Sequence, residues 1–364
     1  MARLGDVCKK ESSNIAQKDL EGHSGNYPIY GASGFIANVD FYQQDNPYIA
    51  VVKDGAGIGR IMKLPAKSSV IGTMQYIIPN DNVDISYLAY AMEHMNLSKY
   101  FTGATIPHIY FKDYQKEDLP LPPLDAQRHI AAVLDKVSDL IAKRRQQLDK
   151  LDGMVKARFV EMFGDCKRNP KNWSVCNLEE IAQVGSSKRV FVEELRESGI
   201  PFFRGTEVGS LAEGKKIEPE LFITEEHYQQ LCLATGKPQI GDLLMPSICP
   251  DGRIWFVNSE DPFYFKDGRV LWVHDINKNF NSVFLLHTLK DRIMTDYSSV
   301  ASGTTFAELK IFSLKQCKIF NVPIELQNQF SSFVEQTEKT KTAISRSLEK
   351  LRILKKALMQ EYFG

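Results

Sequence analysis

No Cys-x-x-Cys pair occurs among the six cysteines, which stand at positions 8, 166, 176, 232, 249 and 317. Zinc clusters are built from closely spaced ligand pairs, so a structural metal is not expected. Scattered thiols instead suit free cysteines in a reducing compartment. No apolar run approaches the roughly 18 residues that a membrane span needs. The opening MARLGDVCKK also lacks the apolar core of a secretory signal. A cytoplasmic protein without a membrane partner is the expectation. Net charge is missing too, since 45 Lys and Arg balance 45 Asp and Glu. Phosphate neutralisation supplies most non-specific affinity for nucleic acid, so a neutral chain that reads DNA needs a basic partner to complete its grip. Seven histidines form no His-x-x-x-His pair, and no serine nucleophile with a partnered base can be assigned. The residues support no catalytic site.

What the chain does have is a repeat. Residues 123–164 and 323–364 align without a gap at an offset of 200: Pro123 matches Pro323, Gln127 matches Gln327, Leu148, Lys150 and Leu151 match Leu348, Lys350 and Leu351, and Phe163-Gly164 matches Phe363-Gly364. Both copies read as long helices. In the first, Ile130, Leu134, Val137, Ile141, Leu148, Leu151 and Val155 recur mostly at alternating steps of four and three, with Arg144 in the one unfilled position. That is a heptad seam. In the second, Ile344, Leu348, Leu351 and Leu358 hold equivalent places, while Thr337 and Lys341 weaken the middle. A proline opens each copy and a glycine closes it. About 40 residues at roughly 1.5 Å each make rods of about 60 Å. An amphipathic rod must bury its stripe, and the obvious partner is its own duplicate, in an antiparallel coiled coil within the chain. Two separate dimerisation helices are the alternative.

The length of 364 residues and a hydrophobic content of 43% accommodate two globular domains beside these helices. The expected division is a first domain at 1–122, a central helix at 123–165, a second domain at 166–322 and a C-terminal helix at 323–364. Strands are expected at residues 48–52 and 75–78, and at 243–245, 254–257 and 270–273. Helices are expected at 85–100, capped by Asp84, and at 280–295. The mix predicts an α/β or α+β fold in each domain. Punctuation recurs as well: Gly103-Ala104-Thr105 and Gly303-Thr304-Thr305 stand at the same offset of 200. A repeated frame around divergent inserts implies one structural task carried out with two specificities.

The residues Leu4-Gly5-Asp6-Val7, Tyr27-Pro28-Ile29-Tyr30-Gly31, Thr105-Ile106-Pro107-His108-Ile109-Tyr110 and the run from Leu119 to Ile130 carry a resemblance. Over essentially its whole length the chain resembles the specificity subunit of type I restriction-modification enzymes. The resemblance implies two target recognition domains, each reading one half of a split double-stranded DNA site. It also implies two helices that form an antiparallel coiled coil, set the gap between the halves and dock two adenine-N6 methyltransferase (modification) subunits. Restriction/translocase subunits join that assembly. S-adenosylmethionine, ATP and Mg then belong to the partner subunits, and this chain is a non-catalytic subunit without a cofactor of its own. Two departures from the family pattern are present: Ser302-Gly303-Thr304-Thr305-Phe306 lacks the Pro-His of the first domain, and the middle of the second helix is polar.

Lys53-Asp54-Gly55-Ala56-Gly57-Ile58-Gly59-Arg60 lacks the Lys-Ser/Thr of a phosphate loop and reads as a hairpin turn; the resemblance implies that such a glycine hairpin lies near DNA, which makes Lys53 and Arg60 candidate phosphate contacts. Hydroxyl, amide and guanidinium groups are what base edges and phosphates require, and the candidates for readout are Thr105, His108 and Tyr110 in the first domain and Arg204, Thr206, Ser247, Arg253 and Thr305 in the second. Each can equally satisfy a turn. Asp261-Pro262-Phe263-Tyr264 approaches the signature of amino-methyltransferases, but its second proline and a glycine-rich cofactor loop are missing, so a strand-edge turn is the reading. A coiled-coil adaptor that binds only protein and a self-sufficient nucleotide-modifying enzyme are the competing functions.

Overall fold

A computed structural model of the chain describes residues 1–103, 107–302 and 307–364. It divides into two compact units, residues 1–148 with 343–364, and residues 149–342. Each unit thus joins one globular domain to a piece of both long helices, which span Leu124–Phe163 (the central helix) and Ile324–Phe363 (the C-terminal helix).

The first unit is built on a four-stranded antiparallel sheet in the order Cys8–Ser12, Met74–Pro79, Tyr48–Val52, Ile61–Leu64. Tyr48–Val52 is a continuous apolar run, and all five residues are buried, as befits a strand covered on both faces. Ile49 and Val51 pack with Ile77 towards the helix Ile85–Met95, while Tyr48, Ala50 and Val52 pack with Val70 and Tyr76 on the other side. A smaller sheet orders Gly34–Val39, Tyr27–Gly31 and Ser69–Val70, the last pair being parallel. Asp84 caps the Ile85–Met95 helix by accepting from the main-chain N–H of Ser86 and Tyr87. That helix is shorter than expected. It stops at Met95 because Asn96 turns left-handed, at φ 51°, and only a 3-10 turn, Leu97–Tyr100, follows.

The second unit repeats this plan. Its four strands run Gln183–Gly185, Val270–His274, Leu243–Pro246, Trp255–Phe256, again antiparallel, and its small sheet orders Phe222–Ile223, Ile200–Phe203 and Tyr264–Phe265, again with one parallel pair. Asn281 caps the helix Ser282–Val300 as Asp84 caps its counterpart. This helix outruns the expected 280–295, with a kink at Asp296. The added material of the second domain is two helices, Gly205–Ala212 and Glu225–Thr235.

The long helices pair antiparallel within each unit. In the first, Val137 and Ile141 of the central helix bury with Leu348 of the C-terminal helix, and Leu148, Leu351 and Leu358 pack half-buried against them. Leu134 and half-buried Ile130 join the domain core together with Met359 and Phe363. In the second, Val155, Phe159 and Phe163 meet Phe330 and Val334. Ile344 and Leu151 are only half-buried. The polar middle of the second copy finds its own solution. Lys341 lies 2.8 Å from both Asp152 and Glu338, and although burial pulls its ammonium down, these two carboxylates hold it above the ordinary lysine range.

Two buried glutamines tie the long helices to the domains. Gln127, 1% exposed, accepts from the Asp84 N–H at 3.0 Å and donates to the carbonyls of Asn82 and Pro122 at 3.2 and 2.9 Å. Gln327, 0% exposed, accepts from the Asn281 N–H at 2.8 Å and donates to Asn279 and Val322 at 3.2 and 2.7 Å. One side chain thus secures the start of a long helix and the N-cap of the domain helix together. Replacing Gln327 by Leu keeps the volume but strands one N–H and two carbonyls, which is expected to cost about 3 kcal/mol; urea unfolding followed by circular dichroism measures it.

His287, half-buried against Phe330 and Phe159, has its imidazole pushed down to about 4 by burial first and by Lys290 and Lys341 after it. A depressed imidazole pKa means that the unfolded chain takes up the proton first, so stability is lost as pH falls from about 6.5 towards 4. His287→Phe is expected to flatten that loss over the same window, read as the unfolding midpoint against pH.

Candidate nucleic-acid interface

In the first unit, residues 53–60 turn between the strands Tyr48–Val52 and Ile61–Leu64, closed by Val52 N–H to the Arg60 carbonyl at 3.0 Å and Gly59 N–H to the Val52 carbonyl at 2.8 Å. Gly55, Gly57 and Gly59 all have positive φ. At Gly59 the requirement is twofold, because a Cβ would also lie 2.6 Å from the Ser98 nitrogen. The turn lies beside the segment that precedes the long helix. Ile109 N–H donates to the Lys53 carbonyl at 3.0 Å, Gly55 N–H donates to Pro107 at 3.0 Å, and the His108 imidazole contacts the Asp54 carboxylate. His108 also exchanges main-chain bonds of 2.9 Å with Thr102. The expected residues Lys53, His108 and Tyr110 are therefore brought together. Lys53 Nζ is 3.3 Å from Asp54, and the His108 and Tyr110 rings lie 4.1 Å apart. Tyr110 is 47% exposed, so part of its ring is open to solvent. Arg60 is exposed, but its guanidinium donates to the Ala32 carbonyl at 2.7 Å, which moors it to the turn between the strands Tyr27–Gly31 and Gly34–Val39. Thr105 lies outside the described residues, and so does Thr305.

Two residues in this segment were not among the sequence candidates. Lys112 places its Nζ 5.1 Å over the Tyr110 ring, and Phe101 is 54% exposed. A cation two residues from an exposed aromatic, just before a long helix, is the signal that could have found the first.

In the second unit the same main-chain frame presents other chemistry. Ser247 accepts from Leu309 N–H at 2.7 Å and donates its own N–H to Arg269 at 2.9 Å, as Lys53 does with Ile109 and Thr73. Ser247 therefore takes the place of Lys53. It departs from expectation in being 3% exposed: its position inside the frame turns the hydroxyl away from solvent, and its part is a main-chain joint. The pairing of Ser302 with Glu308 repeats that of Thr102 with His108. Glu308 engages the Arg269 guanidinium and lies 3.3 Å from Lys310. Arg269 was not a sequence candidate, yet it is 60% exposed at the edge of this frame.

Arg204 and Arg253 are held by the helix Gly205–Ala212. Arg204 reaches Glu207 at 2.5 Å and Glu220 at 3.0 Å, and Thr206 donates to Glu207 at 3.0 Å. Burial alone would raise the Glu207 carboxyl, but the Arg204 guanidinium and main-chain donors outweigh it and bring it down to about 2. Arg253 binds Asp251 at 2.8 Å and lies 3.7 Å from Glu213, packed over Gly209, where a Cβ would come within 2.9 Å of its Nη1. Both guanidinium groups are braced by carboxylates. Phe263 and Tyr264 are 6% and 1% exposed, so neither offers a face to a flipped base. Among the described residues no group of three or more His, Cys, Asp or Glu could hold a metal, and no helix is long and apolar enough to cross a membrane.

Gly59→Ala is expected to destabilise the first unit by roughly 1–3 kcal/mol, because strain adds to the clash with Ser98. Gly55→Ala has open space around it and is expected to cost about 1 kcal/mol through φ alone. Denaturant midpoints of the two variants test the difference.

The profile of the type I restriction modification DNA specificity domain matches residues 1–151 and 170–352. A type I restriction enzyme specificity subunit of Methanocaldococcus jannaschii, MjaVIII, is 25% identical over 400 aligned residues, covering 99% of this chain and 90% of the relative. A second from that organism, MjaIX, is 26% identical over 282, covering 71% and 63%. Among solved structures, the S subunit of a type I restriction-modification system from M. genitalium superposes with a TM-score of 0.63 at 15% identity, covering 100% of this chain and 95% of that one. A chain from a study of complex assembly and conformational transition in a type I system gives 0.55 at 16%, covering 99% and 96%. These two likenesses concern the fold.

Proposed function

The chain belongs to the type I restriction-modification DNA specificity family, and from that membership we propose that it reads a bipartite, asymmetric double-stranded DNA site, one half-site for each globular domain. The observation that carries this reading is the frame shared by the two domains, which presents Lys53 and His108 in one and Ser247 and Glu308 in the other from the same main-chain bonds. One backbone with two sets of side chains is what two unlike half-sites require. In the first domain, Lys53 and Arg60 contact phosphate while His108 and Tyr110 face the bases. In the second, Arg204, Arg253 and Arg269 do the reading, and their carboxylate braces keep each guanidinium fork in a fixed direction.

The chain performs no chemistry on the DNA. Adenine-N6 methylation and cleavage fall to two methyltransferase subunits and the restriction/translocase subunits that it docks, in the cytoplasm, and S-adenosylmethionine, ATP and Mg are bound there. Equal numbers of acidic and basic residues fit this division, since the partners then supply much of the phosphate neutralisation.

Methylation sequencing of DNA from cells with the cognate methyltransferase, with and without this chain, is expected to show a split adenine-methylated motif that vanishes with the chain. No chain-dependent motif despite an active methyltransferase would instead point to a protein-only adaptor. In the assembled complex, Lys53→Ala is expected to weaken binding to all sequences alike and to lower the slope of log affinity against log salt by about one. Arg253→Ala is expected to relax discrimination at one position by roughly 1–3 kcal/mol, read from competition between variant sites.

A further inference from the structure

The segment that joins the frame to the long helix folds alike in both domains. Residues 107–116 and 307–316, at the offset of 200, have the same order of buried, half-buried and exposed positions throughout. Ile109 and Tyr114 are the buried anchors of the first copy, Leu309 and Leu314 those of the second, and each copy makes one short helix, Phe111–Tyr114 or Ile311–Lys315. Positions 110 and 112 are turned to solvent, and so are 310 and 312. The first domain sets Tyr110 and Lys112 there, and the second sets Lys310 and Phe312. Aromatic ring and cation have exchanged places on one backbone.

Phe312 is 75% exposed, the most open aromatic ring among the described residues. A single apolar side chain at a surface is ordinary; what distinguishes Phe312 is its place in the fold. Ile311 and Leu314 of the same helix pack on the domain core, which leaves the ring of Phe312 outside it. Three residues before Phe312 stands Leu309, whose N–H closes the frame on Ser247. Glu308 links Lys310 to the exposed guanidinium of Arg269. The ring thus flanks a frame that carries two cations. Such a frame meets phosphate and brings its neighbours close to the duplex. Stacked bases show only their edges, and the apolar substituent on those edges is the thymine methyl in the major groove. A phenylalanine ring has no donor or acceptor with which to read the other groups there.

We propose that Phe312 is a specificity-determining residue of the second domain, which reads the 5-methyl group of one thymine in its half-site. This assignment rests on the bipartite reading of DNA and adds to Arg204, Arg253 and Arg269 a contact that hydrogen bonds cannot supply. In the first domain the equivalent position holds Lys112, whose Nζ lies 5.1 Å over the Tyr110 ring, and an ammonium there reads no methyl group. A protein ligand common to both domains would have to accept an ammonium at one place and a bare ring at the other.

The test uses the full chain assembled with its methyltransferase subunit, and duplexes carrying the motif found by methylation sequencing. Each thymine of the second half-site is replaced in turn by deoxyuridine, which lacks only the methyl group. Competition binding by the wild type is expected to reveal one position at which the replacement weakens binding roughly fourfold, the factor that burial of one methyl group sets. F312A is expected to bind the thymine and deoxyuridine duplexes equally at that position, F312L to keep part of the difference, and both to unfold at the wild-type midpoint. Equal sensitivity of F312A and the wild type at every position, or a second half-site with no thymine on either strand, overturns the proposal and leaves the bipartite reading standing. A loss of affinity in F312A that is the same for every duplex overturns it in favour of a ring wedged between base steps. Loss of a methyltransferase copy from the F312A complex overturns it in favour of a protein contact. No sequence-selective binding by the wild-type complex overturns both readings together.

Discussion

A primary amide buried at the foot of each long helix sets much of this architecture. Gln127 and Gln327 have no access to water, so their oxygen and amide hydrogens must be satisfied by protein groups. Each does so with one N–H at the cap of a domain helix, one carbonyl two residues earlier and one carbonyl five residues before itself. This geometry cannot be met unless the loop before the domain helix, the Pro-rich entry and the first turn of the long helix are all in place. The glutamine therefore makes the direction in which the helix leaves its domain a property of the hydrogen bonding rather than of packing alone.

The long helices then share their ends between the units. In the first, Phe363 from the end of the C-terminal helix lies 5.1 Å from Tyr87 of the domain helix. In the second, Phe163 from the end of the central helix lies 4.8 Å from Phe284, the residue that corresponds to Tyr87. Each domain helix thus packs on the start of one copy and the end of the other, so neither long helix can be removed without opening two cores. Lys341 shows how the pairing tolerates a cation on the seam. Two carboxylates replace the water that it gives up, and such an arrangement fixes register more than it adds stability.

Much of the fold was legible because the repeat and the apolar runs are strong, local signals. The helix seams, the Asp84 cap and the strands at 48–52, 243–245 and 270–273 follow from periodicity and composition. What was not legible depends on contacts between distant segments. Asn96 is of the residue type that, after glycine, most readily turns left-handed and ends a helix, but the apolar pattern that runs on to Tyr100 masks it, and nothing near Ser247 shows that Leu309 and Arg269 enclose it. Arg269 escaped notice because an isolated arginine after Asp267-Gly268 looks like an ordinary turn residue until Glu308 is beside it. The carboxylate braces of Arg204 and Arg253 combine near neighbours, Glu207 and Asp251, with Glu220 and Glu213 from further along the chain, and only the near ones could be read from spacing.

The same reasoning explains how two domains of one plan come to differ in what they present. Main-chain hydrogen bonds do not depend on side-chain identity, so the bonds at Lys53 and Ile109 survive as those at Ser247 and Leu309 while the side chains are free to change. A cation beside an imidazole in one domain becomes a buried hydroxyl beside a carboxylate and two cations in the other. The helix surfaces follow the same rule, with Arg352 and Lys355 in one copy and Asp152 and Val155 in the other. What the frame conserves is geometry. Charge, which decides partners, is carried by side chains that the frame leaves unconstrained, and so each repeated surface can be specialised without altering the fold that holds it.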